Sequence, residues 1–171
     1  MASQEQGRTA VRVTPGGDGV SNVATGLPVL DHLLVLLADR AGFDLTLEVE
    51  PGAVDEELAA AGRAFGDALA APLRADGVRG HGSAVVPTDE ALAHVVLEAS
   101  GRPLVVSNVD LSEARVGGLE TDLAARFLDA LAQGAGLTLH VRLLEGRDTQ
   151  HVLEAIFKAL GVALAQACRT R

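Results

Sequence analysis

Two histidine-bearing strings and two acidic strings hold the side chains best suited to moving protons or holding an ion. Asp31-His32 stands at the start of an apolar stretch with helical spacing, Leu30 to Ala38. In a second such stretch His151 and Glu154 lie three residues apart, and Gln150 and Glu154 four apart, so the three share one helical face. An imidazole beside a carboxylate is half of a metal site, and it is equally the pattern of a surface ion pair. Asp89 and Glu90, within Pro87-Thr88-Asp89-Glu90-Ala91-Leu92, read as a helix start or an exposed turn. Arg102, within Ser100-Gly101-Arg102-Pro103, reads as a surface cation. Lys158, the one lysine of the chain, follows Glu154 by one turn and is spaced for an intrahelical salt bridge. His81 and His94 have no evident partner and read as exposed or locally satisfied.

These residues need a frame. Thr9 to Thr14 alternates as a strand, Gly16-Gly17-Asp18-Gly19 is a turn, and Val20 to Ala24 reads as the returning strand. Phe43 to Val49 alternates apolar with polar residues and stops at Pro51-Gly52. Val54 to Leu73 is Ala-rich and helical. Ser83 to Pro87 and Ala91 to Val106 are extended, with a break at Ser100 to Pro103. Leu119 to Ala132 is helical, Leu137 to Leu144 a strand, Gly146 to Asp148 a turn, and Thr149 to Ala167 a long helix.

That order repeats at an offset of about 95 residues. Ala41-Gly42-Phe43-Asp44-Leu45 corresponds to Ala135-Gly136-Leu137-Thr138-Leu139, and Ala64 to Leu69 corresponds to Ala159 to Leu164. The reading is α+β and internally duplicated, with half-repeats 8–81 and 82–171 in one compact domain. Each half is expected to be a small sheet with two helices on one face. The helices should pack between the sheets, because every apolar face must be buried against another. The repeat puts Asp55-Glu56 and Gln150-His151 at equivalent starts of equivalent helices.

Composition narrows the class. A net charge of -9 argues against a nucleic-acid partner, which requires clustered Lys and Arg. No apolar run approaches the roughly 20 residues of a membrane helix, and Met1 to Gly7 lack a signal-peptide core, so a cytoplasmic protein is expected. The lone Cys168 cannot form an internal disulfide and reads as a small buried hydrophobe. An apolar share of 48% leaves enough surface to expect a homo-oligomer.

Several strings together resemble the imidazoleglycerol-phosphate dehydratase family. They are Thr25-Gly26-Leu27-Pro28-Val29-Leu30-Asp31-His32, Pro87 to Leu92, Ser100 to Pro103, Leu139-His140-Val141-Arg142 and Glu154 to Leu160, in the family's order. The resemblance implies a ribosomal S5 domain 2-like duplicated fold and a large octahedral shell of up to about 24 subunits. It also implies paired manganese ions between subunits, and dehydration of imidazoleglycerol phosphate in histidine biosynthesis. There the metals would hold the imidazole and stabilise charge as a carbon-bound proton leaves.

The sequence departs from that pattern at most of the metal-holding positions. Each family half carries one early His and a His-His-x-x-Glu cluster. Here the first cluster falls on Asp55-Glu56-Glu57-Leu58-Ala59, the second early His on Arg126, and the second cluster on Gln150-His151-Val152-Leu153-Glu154. His32, His151 and Glu154 remain, and Asp55 is a further candidate ligand for a hard ion. The family's phosphate-side arginine falls on Gly80 beside Arg79, its early glutamate near Gln6, and its first strand and C-terminal Ser and Lys tail have no counterpart. The expectation is therefore that no cofactor is required, with manganese bound only if the family site is partly retained. Glu56, His151, Glu154, Asp89 and Glu90 are the candidate acid–base residues, and Asp31, Arg102 and Lys158 the candidate substrate contacts. The main expectation is a diverged member without the manganese-dependent dehydration. It would be a binding or scaffold protein, a lyase or cyclase on another small molecule, or a subunit co-assembled with a competent dehydratase. The alternative is a working dehydratase with a rearranged site.

Overall fold

A computed structural model describes residues 9–50, 52–109, 115–116, 119–120 and 122–171. Strand β1 (Thr9–Thr14) is followed by β2 (Ser21–Ala24), helix α1 (Pro28–Ala41), β3 (Asp44–Val49) and helix α2 (Val54–Leu73). The chain continues as β4 (His81–Thr88), β5 (Ala91–Glu98), β6 (Leu104–Ser107) and the short ribbon β7 (Arg115–Val116) and β8 (Leu119–Glu120). It ends in α3 (Asp122–Ala135), β9 (Thr138–Glu145) and α4 (Thr149–Cys168). Two small mixed sheets and four helices make the fold α+β.

The first sheet runs β1-β3-β2, with β1 antiparallel and β2 parallel to β3. Val20 to Ala24 is thus not a strand returning along β1. The loop after β1 closes on Asp44, whose carboxylate accepts the backbone N–H groups of Asp18 and Val20, and carries β2 to the far side of β3. The second sheet runs β4-β5-β9-β6, with β6 parallel to β9. Its β5-β9-β6 part repeats the pairing of β1-β3-β2, and β4 is added outside β5. The expected missing first strand would precede β1, outside the described residues.

Helices α1 and α2 contact the first sheet and α3 and α4 the second, while α1 packs on α4 and α2 on α3. All four phenylalanines lie in this middle layer, with the Phe127 and Phe157 rings 5.8 Å apart. The equivalent helices α1 and α3 end alike, at Gly42 (φ 68°) and Gly136 (φ 67°), in the left-handed conformation that glycine adopts without steric cost. The seams between helix pairs are equally matched. A methyl on Gly66 would sit 2.4 Å from the Leu131 carbonyl oxygen, and one on Gly161 would sit 2.3 Å from that of Leu37. Arg74 closes the other end of the α2–α3 pair by donating to the Ala135 and Gly136 carbonyls at 2.8 and 3.2 Å.

Among the described residues α4 alone is long and apolar enough to cross a membrane by length and composition, although it lies against α1, β4 and β5 in the core. Cys168 packs at the edge of that core, and burial pushes its thiol up to about 11, which suits an inert hydrophobe.

Candidate functional site: two histidine–carboxylate pairs at the starts of α1 and α4

Helix α1 begins with Pro28 in its first turn, where the missing N–H costs nothing. The turn before it is held by Asp31. One Asp31 carboxylate oxygen accepts the Thr25 backbone N–H at 2.9 Å and also the Thr25 hydroxyl. Thr25 is fully buried, and Gly26 takes a φ of 82° between them. The Thr-Gly…Asp-His string is therefore a rigid elbow that sets the direction of His32. Asp31, expected as a substrate contact, has its carboxylate turned inward to this elbow.

Helix α4 is capped by Asp148, whose side chain accepts the His151 backbone N–H at 3.1 Å. One turn along, Glu154 faces α1, and its Oε2 lies 3.3 Å from His32 Nε2. The same oxygen accepts the Gln150 side-chain amide at 3.1 Å. Lys158 makes no described contact with Glu154, so the expected intrahelical bridge gives way to these two partners.

His151 is gripped from another direction. Its Nδ1 is 2.5 Å from Glu90 Oε1, and its Nε2 is 3.2 Å from an Asp89 oxygen. Both carboxylates come from the two-residue turn between β4 and β5, where Asp89 takes a φ of 51°, unusual for a residue with a side chain. Glu90 Oε2 accepts the backbone N–H groups of Arg147 and Asp148 at 3.0 and 3.3 Å. The Arg147 N–H, followed by the bond from His151, holds the Glu90 carboxyl down at about 2, from an ordinary 4.5. The hydrogen bond to Glu90 raises His151 above its ordinary 6.5, supported by the charges of Asp148, Glu90 and Asp89. The same acids thereby favour the protonated form of His151.

Glu56 is exposed at the start of α2, and the Asp55 side chain lies outside the described residues. The backbone of Arg102 is fixed in its loop by Ser100 and Thr138, and the residue is exposed. His94 has a partner after all, Ser83 Oγ at 3.0 Å on the neighbouring strand. Two site-shaping residues escaped the sequence reading. Asp148 was legible as an acid just before a helix, whereas Glu57, 7% exposed and accepting the Gly52 N–H at 2.6 Å, carries no such signal. A groove of about 450 Å³, lined by Arg79, His81, Glu98 and His140 among others, opens at the far end of the β4–β5 hairpin from Glu90.

A manganese centre requires several convergent N and O donors. Among the described residues no group of three or more His, Cys, Asp or Glu side chains is placed to hold a metal ion. His32 and Glu154 supply one nitrogen and one carboxylate, and His151 is turned to Asp89 and Glu90. The described residues of a single chain do not fit the family's metal pair.

The fold and these pairs define a duplicated α+β protein with a histidine–carboxylate site at its helix starts. The sequence profile of imidazoleglycerol-phosphate dehydratase matches residues 25–164, and the chain belongs to that family. The dehydratase of Syntrophobacter fumaroxidans is 46% identical over 162 residues, covering 92% of this chain and 82% of that protein. That of Heliobacterium modesticaldum is 42% identical, covering 94% of this chain and 84% of its own length. The crystal structure of the Staphylococcus aureus enzyme superposes with a TM-score of 0.87 at 31% identity, covering 98% of this chain and 96% of that one. The Pyrococcus furiosus enzyme in complex with (S)-C348 gives 0.84 at 29% identity, covering 95% and 90%.

Proposed function

We propose that this chain removes water from imidazoleglycerol phosphate, the reaction for which its relatives are named, with a rearranged site. The observation that carries this reading is the grouping of His32 with Glu154 and of His151 with Glu90 where α1 and α4 begin, on strings shared with the family. Dehydration needs a base for a carbon-bound proton and an acid for the departing hydroxyl. His151, oriented through Nδ1 by Glu90, and His32, oriented by Glu154, are the side chains of this chain suited to those two proton transfers. The described residues of one chain do not assemble the metal pair, which the resemblance places between subunits, so the roles assigned here are those of this chain's own imidazoles and carboxylates. A cytoplasmic homo-oligomer belongs to the same reading.

A second reading is favoured by one observation: Asp55, Glu56, Ala59, Arg126 and Gln150 occupy positions where the resemblance calls for metal ligands. On that reading the manganese-dependent reaction is gone. The chain then binds or transforms another small molecule, or assembles with a competent dehydratase. Two measurements separate the readings. One is rescue of a histidine auxotroph by this chain alone. The other is a dehydratase assay on purified protein with its manganese content determined. Rescue together with turnover supports the first reading. Absence of both, in folded protein supplied with manganese, supports the second.

A further inference from the structure

We propose that Gln150 is a positioning residue, holding Glu154 so that His32 offers Nδ1 to a ligand as a hydrogen-bond acceptor. The inference rests on the reading of His32 and Glu154 as part of the working site. Glu154 Oε2 accepts the Gln150 amide at 3.1 Å and faces His32 Nε2 at 3.3 Å. A carboxylate oxygen has two in-plane acceptor positions. Gln150, one turn earlier on α4, fills one of them and leaves the other directed across to α1.

An ionised carboxylate only accepts, so the hydrogen of a neutral His32 ring resides on Nε2 and the lone pair on Nδ1. The His32 side chain is 53% exposed while that of Glu154 is 15% exposed, so the ring meets a ligand and the carboxylate orients the ring. A Gln–Glu pair four apart is by itself an ordinary helix-surface contact. Here the shared oxygen is also committed to a second helix. Gln150 turns its amide N–H to Glu154 Oε2, and the His32 ring nitrogen approaches the same oxygen from α1. The arrangement is built for hydrogen bonding, and the matching ligand chemistry is a hydroxyl or an azole N–H aimed at Nδ1.

The test is ¹⁵N NMR of the histidine rings in the full chain. Wild-type His32 is expected as the Nε2–H tautomer. In Gln150→Ala, an exposed substitution, the population is expected to shift toward Nδ1–H with the circular dichroism unchanged, and Gln150→Glu should shift it further by repelling Glu154. Imidazoleglycerol phosphate added as the probe is expected to perturb His32 and to bind Gln150→Ala several-fold more weakly. A wild-type Nδ1–H tautomer, or populations unmoved by both variants, overturns the proposal. A tautomer shift without binding of the probe upholds the role of Gln150 and counts only against imidazoleglycerol phosphate as the ligand.

Discussion

Glu90 Oε1 meets His151 Nδ1 at 2.5 Å, joining the tip of the β4–β5 hairpin to the first turn of α4. The two oxygens of Glu90 divide the work. One orients the imidazole, and the other satisfies the Arg147 and Asp148 N–H groups that precede the helix. Substituting Glu90→Gln removes the charge while keeping the shape. The His151 titration, followed by NMR, is expected to move down toward its ordinary 6.5. If dehydration is detected, its pH profile should move the same way. A titration that stays where it was would show that Glu90 does not set the protonation of His151.

The same pair contributes to the pH dependence of folding. Glu90 titrates near 2 in the folded chain and near 4.5 when unfolded. Its contribution is present above 4.5 and is lost as pH falls from 4.5 through about 2. His151 is raised, so its contribution is present below 6.5 and is lost as pH rises through its folded value. Denaturant titrations across pH should show both losses in the wild type, and both should shrink in Glu90→Gln.

The helix seams make a sharper stability prediction. A methyl on Gly161 meets backbone of α1 rather than a flexible side chain, so nothing local can give way. Gly161→Ala and Gly66→Ala are each expected to cost about 1–3 kcal/mol or more in chemical denaturation, the range for overpacked cores. Gly134→Ala should behave similarly, since its methyl would sit 2.6 Å from the Arg63 carbonyl oxygen. Loss below about 0.5 kcal/mol at all three sites, the level of ordinary surface substitutions, would contradict the packing.

The outer faces of the two sheets differ. That of the first carries Arg12, Asn22 and Glu48, while that of the second exposes Val85, Val96, Leu104, Val106 and Leu144. Apolar area of this kind is usually covered. Light scattering at micromolar concentration is expected to give a mass above that of a monomer. The double change Val96→Glu with Val106→Glu should lower it. A monomeric wild type would refute the expectation.

The elements were legible where period and punctuation were strong. Val54–Leu73 follows its alanine-rich spacing to the residue. Gly42 and Gly136 entered the sequence reading only as matching positions of the repeat, and the structure adds that each ends a helix in the left-handed conformation. The position of β2 was not legible, because strand order depends on the loop held by Asp44 and not on alternation. Within the site, His32 and Glu154 were found as separate strings, and their meeting depends on α1 packing against α4. The grip of Asp89 and Glu90 on His151 was out of reach for a related reason. A turn at Asp89-Glu90 was one of two open readings, and Asp tolerates the φ of 51° found there, but the docking of that turn on the first turn of α4 depends on tertiary packing.

The reciprocal seams carry a consequence of their own. Gly66 of the first half abuts Leu131 of the second, and Gly161 of the second abuts Leu37 of the first. Such mutual exchange of contacts is the mark of an isologous interface, the kind found between identical subunits related by a two-fold axis. In this chain that axis is internal, and the two partners are tethered end to end. Neither half has a helix layer to close on by itself. Gene fission in the loop between α2 and β4, ahead of His81, should therefore yield fragments that gain structure only when mixed, as obligate partners.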